Sequence, residues 1–255
     1  MEKFHHKPAP KKSQLIIGRQ PLVEALESGR SIDKILFQTQ VSGPSIGDIR
    51  KLAKERNIPI QQVPAEKLHS LTKANHQGVI AFAGLVSYMD LQEVIDHVVS
   101  EGKNPLFVML DGVTDVRNIG AIARTTLCSG GQALIIPDKG VGALNEEALK
   151  SSAGALEKIH VCRVGSLMKA VDTLHLNGIK VFAAEMTASK PVYEEDFKEP
   201  CCIIMGSEEK GVFPPLMKIC DANVHIPMTG DFESLNVSVA TGMILYEAMK
   251  QRILQ

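Results

Sequence analysis

The sequence lacks the cysteine and histidine patterns that mark disulfide frameworks and metal sites. Its five cysteines are an odd number, and none of them forms a CxxC pair or another paired spacing. The eight histidines show no metal-ligand spacing such as HExxH, so we expect no metal. Unpaired cysteines are typical of proteins that keep their thiols reduced, which predicts a cytoplasmic location.

The chain also lacks a hydrophobic run long enough to cross a membrane. No stretch approaches the ~20 apolar residues that a transmembrane helix needs. The N-terminal segment 1–13 is basic but has no apolar core, so it does not resemble a secretory signal. We expect it to be a disordered tail, and we expect no membrane partner.

The net charge of −1 argues against an indiscriminate nucleic-acid binder. The charge is nevertheless unevenly distributed. Residues 1–88 carry 13 Lys and Arg against 7 Asp and Glu, whereas residues 105–255 carry 14 against 18. The excess of positive charge in the N-terminal part suits contact with RNA.

Hydrophobic periodicity divides the chain into two α/β regions. Residues 14–88 alternate helices and strands and predict a small α/β sandwich. Residues 89–104 lose this rhythm and hold one acidic helix over 91–100, which predicts a linker. Residues 105–255 show apolar strands, most of them separated by helices, which is typical of a doubly wound parallel sheet. The predicted fold class is therefore α/β.

Three polar segments follow predicted strands in the second region. They are Asn118-Ile-Gly-Ala-Ile-Ala-Arg124, Ile204-Met-Gly-Ser-Glu-Glu-Lys-Gly211 and Ile226-Pro-Met-Thr-Gly-Asp-Phe-Glu-Ser-Leu-Asn-Val-Ser238. Because α/β proteins bind ligands at the carboxyl ends of their strands, these segments predict one cleft at that edge of the sheet. The GxGxxG and GxxxxGK[ST] fingerprints are absent from these turns, which makes a dinucleotide-dependent oxidoreductase improbable and excludes a P-loop.

Single residues of these segments also have ordinary structural interpretations. Asn118 is a candidate helix N-cap, and Ser234 or Asn236 would cap the last helix. Gly120 would keep the first turn of its helix thin enough for close backbone approach. Arg124 would lie on another face of that helix, where its only role could be to pair with a surface carboxylate. Both kinds of interpretation stay open for each residue taken alone.

Together, and in this order, the segments resemble the motifs of the SpoU (TrmH-like) branch of the SPOUT methyltransferases. Asn118-x-Gly120-x-x-x-Arg124 resembles the first motif, Gly206-x-Glu208 the second, and residues 234–242 the third. The resemblance covers 105–255. Residues 14–88 resemble the L30e-like RNA-binding module that precedes the catalytic domain in many relatives. The layout is most similar to bacterial enzymes that methylate a guanosine of large-subunit ribosomal RNA.

The resemblance implies an RNA ribose 2′-O-methyltransferase that uses S-adenosylmethionine. It also implies a deep trefoil knot in the C-terminal domain and a homodimer that pairs through this domain. The cofactor contacts would centre on Met205, Gly206, Ile226, Met228 and Leu235. The catalytic set would be Arg124, Asn118, Glu208, Ser234 and Asn236.

Arg124 takes the place of the family's catalytic arginine. A guanidinium normally stays protonated in proteins, so a literal role as general base is physically difficult. We therefore expect Arg124 to stabilise developing charge on the ribose oxygen or to orient an RNA phosphate.

Two alternatives stay open from the sequence. The target could be transfer RNA, although the additional N-terminal module favours ribosomal RNA. The chain could also be a non-catalytic RNA-binding assembly factor that keeps the fold, but the intact motif residues count against this interpretation.

Overall fold

The computed structural model describes residues 15–142, 144–230 and 234–254, which form two β-sheets with helices packed on their faces. The segment predicted to be a disordered tail, 1–13, lies outside the described residues. Among the helices of the described ranges, none combines the length and hydrophobicity needed to cross a membrane.

The N-terminal part forms a mixed four-stranded sheet, which we call the small unit together with its helices. Its strands are β1 (Leu15–Ile17), β2 (Ile32–Gln38), β3 (Ile60–Val63) and β4 (Val79–Ala83). Its helices are α1 (Arg19–Glu27), α2 (Pro44–Glu55) and α3 (Ala65–Leu71). The strand order is β1-β4-β2-β3, with β2 and β3 parallel and β4 antiparallel to both of its neighbours. Apolar side chains are buried on both faces of this sheet, as predicted for a sandwich.

The rest of the chain forms an eight-stranded sheet, which we call the large unit together with its helices. Its strands are β5 (Tyr88–Met89), β6 (Leu106–Asp111), β7 (Ala133–Pro137), β8 (His160–Val164), β9 (Lys180–Ala184), β10 (Lys190–Pro191), β11 (Cys201–Gly206) and β12 (Ala222–His225). They lie in the order β10-β12-β9-β11-β6-β7-β8-β5, and every pairing is parallel. The predicted parallel sheet is confirmed.

Helices cover both faces of this larger sheet. They are α4 (Leu91–Ser100), α5 (Val116–Cys128), α6 (Glu146–Ser151), α7 (Leu167–Leu176), α8 (Pro214–Met217) and α9 (Val237–Ile253). Short 3-10 helices occur at Ala155–Glu157 and Val192–Glu194. Within β6, Val108 packs with the core under α5 and α9, whereas Met109 packs with the core under α4 and α7. A strand buried on both faces needs apolar residues at every position, which explains its continuous apolar run.

The segment predicted to be a linker, 89–104, contributes α4 and the second residue of β5 to the large unit. β5 pairs with β8 at the edge of the sheet. The predicted acidic helix is present as α4, and the side chain of Asp90 caps it by accepting from Gln92 N at 2.8 Å. Val94 and Ile95 of α4 are buried in the same core as β6 and β7. Their packing depends on the strand order, which the sequence does not reveal.

The start of α5 differs from the prediction. The side chain of Asp115 accepts from Arg117 N at 2.8 Å, so Asp115 is the N-cap and the cap role predicted for Asn118 is wrong. Asn118 instead lies inside the first turn, where its amide group remains available for other partners. The close backbone approach predicted at Gly120 is confirmed, and the approaching backbone is that of residues 148–152. A Cβ at Gly120 would lie 1.9 Å from Ser151 Oγ, so this glycine allows α5 to pack against α6.

The cysteines are free thiols in different environments. Cys128 is exposed at the end of α5. Burial raises the pKa of the other thiols: to about 12 for Cys162 and Cys220, to about 11 for Cys201, and well above the ordinary range for Cys202. These four side chains act as small apolar residues of the core.

Candidate active site

The carboxyl ends of four neighbouring strands bring the three predicted polar segments together. β6 and β11 are adjacent, and Gly206 at the end of β11 pairs with Asp111 at the end of β6. β9 lies between β11 and β12. The chain runs from β6 to β7 on one side, while β11 pairs with the other side of β6. This is the switch in strand order at which doubly wound proteins bind their ligands.

The Glu208 carboxylate is the central contact between the segments. Its Oε1 accepts from Asn118 Nδ2 at 3.1 Å and from Asn236 Nδ2 at 2.9 Å. It also accepts from the backbone N–H of Val237 at 3.4 Å. Asn236 Nδ2 donates in addition to Asn118 Oδ1 at 3.1 Å. One carboxylate oxygen thus joins the loop after β11, the first turn of α5 and the start of α9.

The orientation of the Asn236 amide is fixed by its second role. Its Oδ1 accepts from Ser238 N at 2.9 Å and from Val239 N at 3.4 Å, which makes Asn236 the N-cap of α9. The predicted cap at Ser234 or Asn236 is therefore confirmed for Asn236. Because the oxygen faces the helix, the nitrogen faces Glu208.

A cavity of about 330 Å³ opens beside this contact. All five residues predicted to contact the cofactor line it, and so do Glu208 and Ser234 of the predicted catalytic set. Its apolar wall includes Val224, Ala240 and Ile244, and its rim is formed by the polar loops after β9 and β11. A largely apolar cavity of this size with a few polar groups is typical of a small-molecule site.

Gly206 shapes the floor of this cavity. A Cβ at Gly206 would lie 2.0 Å from the carbonyl carbon of Gly211 and 2.2 Å from Val212 N. Ser207 and Gly211 form an isolated β-bridge, which closes the loop between them. The absence of a side chain at residue 206 therefore allows the loop to fold back on its own strand.

The loop after β9 is a part of the site that sequence reasoning missed. Glu185, Met186 and Thr187 line the cavity. Thr187 donates its backbone N–H and its Oγ1–H to Glu185 Oε1, at 3.3 and 3.2 Å. The signal was present, since a polar segment follows an apolar strand here as well. Its relevance depends on the position of β9 between β11 and β12, which no pattern in the sequence reveals.

A second cavity, of about 340 Å³, is lined by the same loop. Asn118, Gly112 and Thr114 line it from the end of β6 and the start of α5. Residues 207–210 line both cavities, and so does Val237 at the start of α9. Glu208 therefore faces the two cavities from one position.

The structure does not bring Arg124 into this cluster. Arg124 is exposed and lines neither cavity, and its side chain makes no hydrogen bond or ion pair with another residue of the described ranges. It lies six residues after Asn118, about 9 Å further along the axis of α5. Its assigned role stays a prediction.

The fold and this site define a class of protein: a parallel α/β enzyme with a ligand cavity at the strand ends. Comparison with known proteins defines the class more closely. Residues 105–246 match the model of the SpoU rRNA methylase family, and residues 15–89 match the model for RNA 2′-O ribose methyltransferase substrate binding.

Individual relatives agree with these matches. A TrmH family tRNA/rRNA methyltransferase of Staphylococcus saprophyticus is 36% identical over 238 residues, covering 93% of this chain and 96% of the relative. The crystal structure of the SpoU methyltransferase AviRb of Streptomyces viridochromogenes with AdoMet has a TM-score of 0.60 and 26% identity, covering 94% of this chain and 91% of that chain. The TrmH/SpoU tRNA modifying enzyme of A. aeolicus has a TM-score of 0.53 and 29% identity, covering 64% of this chain and 85% of that chain.

The chain belongs to the SpoU methylase family and is an RNA methyltransferase. This assignment confirms the enzyme class, the RNA partner and the S-adenosylmethionine cofactor predicted from the sequence. It does not favour the non-catalytic alternative.

Proposed function

We propose that the protein transfers the methyl group of S-adenosylmethionine to the 2′-hydroxyl of a ribose in RNA, at a guanosine of large-subunit ribosomal RNA. The observation that carries this proposal is the Glu208 carboxylate, which is held by Asn118 and Asn236 and belongs to a residue that lines both cavities. Two cavities that share a polar wall suit a reaction between two bound molecules, because transfer requires both reactants in one fixed arrangement.

The cavity of about 330 Å³ suits the cofactor in size and chemistry. Ile226 and Leu235 would flank the faces of the adenine, and backbone groups of Met205, Gly206 and Met228 would read its edge. S-adenosylmethionine supplies an electrophilic methyl group on a sulfonium when it is bound. The protein's part is to bind this group, exclude water and align the acceptor.

The second cavity would hold the acceptor ribose. Asn118 and Glu208 would orient its hydroxyl, and Ser234 would contact the reacting groups from the cofactor side. Arg124, exposed on α5, would bind an RNA phosphate or stabilise charge that develops on the ribose oxygen. A guanidinium performs both tasks while it stays protonated, so the proton that leaves the ribose hydroxyl would pass to water.

The exposed face of α9 supports the proposal of a homodimer. Val239, Met243 and Tyr246 are 52%, 45% and 60% exposed and follow one another at helical spacing. They line a shallow apolar depression that also includes Ile226 of the cofactor cavity. We propose that a second copy covers this face. Light scattering should give twice the mass of one chain, and Met243→Glu should reduce it to the mass of one chain.

We also propose the domain division that the sequence predicts. Residues 14–88 would form the L30e-like substrate-binding domain, residues 89–104 the linker, whose helix α4 packs on the large unit, and residues 105–255 the catalytic domain, with the deep trefoil knot of its family. Five free thiols and an RNA substrate suit action in the cytoplasm.

Transfer RNA is the second candidate substrate, because the relatives include tRNA/rRNA methyltransferases and a tRNA modifying enzyme. The small unit favours ribosomal RNA.

The protein should be incubated with labelled S-adenosylmethionine and purified ribosomal or transfer RNA, and the product should be digested to nucleosides. We expect labelled 2′-O-methylguanosine from ribosomal RNA. Label on a base, or on transfer RNA alone, would contradict the proposal. Mapping 2′-O-methyl sites in cells that lack the protein identifies the nucleotide.

A further inference from the structure

A buried arginine of the large unit reaches into the small unit. Arg163 lies on β8 and is only 6% exposed. Its Nη1 donates to the carbonyl oxygens of Ile32 and Asp33, at 3.0 Å in each case. Both carbonyls belong to β2, an inner strand of the smaller sheet.

Tyr88 completes this contact from the strand beside β8. The guanidinium carbon of Arg163 lies 3.2 Å from the centre of the Tyr88 ring. The hydroxyl of Tyr88 donates to Asp33 Oδ1 at 2.8 Å. The pairing of Tyr88 with Val161 fixes β5 on β8. Arg163, Tyr88 and Asp33 thus form one connected group across both units, which we call the junction.

The chemistry of the junction requires an arginine. A planar guanidinium donates to two acceptors in a fixed geometry and stacks on an aromatic ring at the same time. Both hydrogen bonds come from Nη1, and Nη2 has no partner among the described residues, so the feature that a lysine cannot provide is the flat face against the Tyr88 ring. The direction of these hydrogen bonds therefore defines an orientation of β2 relative to β8.

Among the described residues, few other side chains connect the small unit to the large unit. A polar cavity of about 320 Å³ separates the units beside the junction, with Arg56 on one wall and Asp90 on the other. Ser31 Oγ donates to Val86 O in the connecting segment, and Asn57 approaches Gly165. A gap of this size leaves the orientation dependent on a small number of side chains.

We propose that Arg163 is a positioning residue, which fixes the small unit on the large unit and thereby determines which ribose of a bound RNA reaches the methyl donor. Arg163 lines neither cavity of the site, and β6 and β7 separate its strand from β11. It can therefore act on the reaction only through the orientation of the small unit. This proposal rests on the proposed function, in which the small unit holds the RNA.

The first test measures orientation without activity. Spin labels at Lys51→Cys on α2 and Lys169→Cys on α7, in a Cys128→Ser background, report the distance between the units. Labelled chains are diluted into unlabelled protein to exclude distances between copies. We expect a narrow distribution that Arg163→Met broadens strongly and Arg163→Lys broadens partly. Arg50→Met, the same change at an exposed position of α2, should leave it narrow.

The second test measures where and how fast methyl groups are added. Arg163→Met should lower kcat on the RNA by about 10²-fold, as expected for a misplaced reactant, with unchanged affinity for S-adenosylmethionine. Methylation should also spread to neighbouring riboses, which loss of folded protein alone would not cause. A disulfide between Asn57→Cys and Gly165→Cys should restore the single site in the Arg163→Met protein, and reduction should remove it again.

The outcomes separate the two proposals. The positioning role is overturned if the distance distribution stays narrow in both the Arg163→Met and the Tyr88→Phe proteins. It is also overturned if the Arg163→Met protein methylates only the parental ribose and does so at the parental kcat. If Arg163→Met does not fold, Tyr88→Phe decides, since it keeps the ring and removes only the hydrogen bond to Asp33. A parental protein that shows the narrow distribution but methylates no RNA contradicts the proposed function and leaves the junction intact.

Discussion

Replacement of Asn236 by aspartate separates the two roles of this side chain. Its oxygen caps α9, and its nitrogen donates to Glu208 Oε1 at 2.9 Å. Aspartate keeps an oxygen that accepts from Ser238 N, and a carboxylate is favourable at a helix N-terminus. It replaces the donor that faces Glu208 by a second carboxylate oxygen. The helix should be retained, whereas the contact between the segments should be lost.

The size of the effect follows from the geometry. A hydrogen bond to a charged group contributes about 1.5–3 kcal/mol. We take the lower end because both Asn236 and Glu208 are exposed. Since about 1.36 kcal/mol corresponds to a tenfold change in rate, loss of this bond alone predicts a decrease of kcat/KM of about 10-fold. Repulsion between the two carboxylates lowers it further.

The assay compares Asn236→Asp with Asn236→Ala, in methyl transfer to RNA and in thermal unfolding. The alanine variant also loses the cap, about 1 kcal/mol, and its Tm should fall by about 2–4 °C. The aspartate variant keeps the cap, so it should lose activity with a smaller fall of Tm than the alanine variant. An aspartate variant with the parental kcat/KM would refute the reasoning, and so would an equal loss of Tm in both proteins.

Four further predictions follow from the structure. Arg124→Ala should lower turnover on RNA by about 10²–10⁴-fold and leave the calorimetric affinity for S-adenosylmethionine unchanged; normal turnover would remove Arg124 from the mechanism. Gly206→Ala places a methyl group 2.0 Å from the carbonyl carbon of Gly211, so calorimetry should show loss of cofactor binding. Intact binding would contradict the assignment of Gly206 to the floor of the cofactor cavity. At about pH 8 a thiol reagent should rapidly modify only Cys128 in the native chain, because deprotonation of the other thiols is suppressed. All five cysteines should react after unfolding. A second thiol that reacts rapidly in the native chain would argue against the burial of the other four. Burial, with a smaller effect of the neighbouring imidazole, lowers the pKa of His76. On acidification the unfolded chain therefore binds a proton at this histidine before the folded chain does, and stability is lost as the pH falls below about 6.5. His76→Asn should make the decrease of Tm on acidification less steep, and an unchanged slope would exclude His76 as its source.

Much of the fold could be predicted because burial leaves a clear pattern. β6 and β11 are covered on both faces, and their continuous apolar runs predict central parallel strands. β1 and β5 were missed since strands of three and two residues are too short to show a period. The packing of α4 was missed for another reason, because it depends on the order of strands that are distant in the sequence.

The site could be predicted in part. The strand-end rule and the family motifs identified residues that the structure brings together, among them Asn118 and Glu208. The cap was misassigned because Asp115, three residues earlier, provides the same type of side chain at the true start of α5. The place of Glu185 in the site cannot be predicted without knowledge of the strand order. The contact of Arg163 with Ile32 joins positions 131 residues apart, and no local pattern predicts it.

Because residues 207–210 line both cavities, we expect binding in one cavity to depend on binding in the other. A molecule that rigidifies this segment from one side alters the free energy of binding on the other side. Such an effect is reciprocal, so the cofactor should change the affinity for RNA by the same factor by which RNA changes the affinity for the cofactor. The coupling between the two partners would then depend on the five residues that line both cavities, 207–210 and Val237.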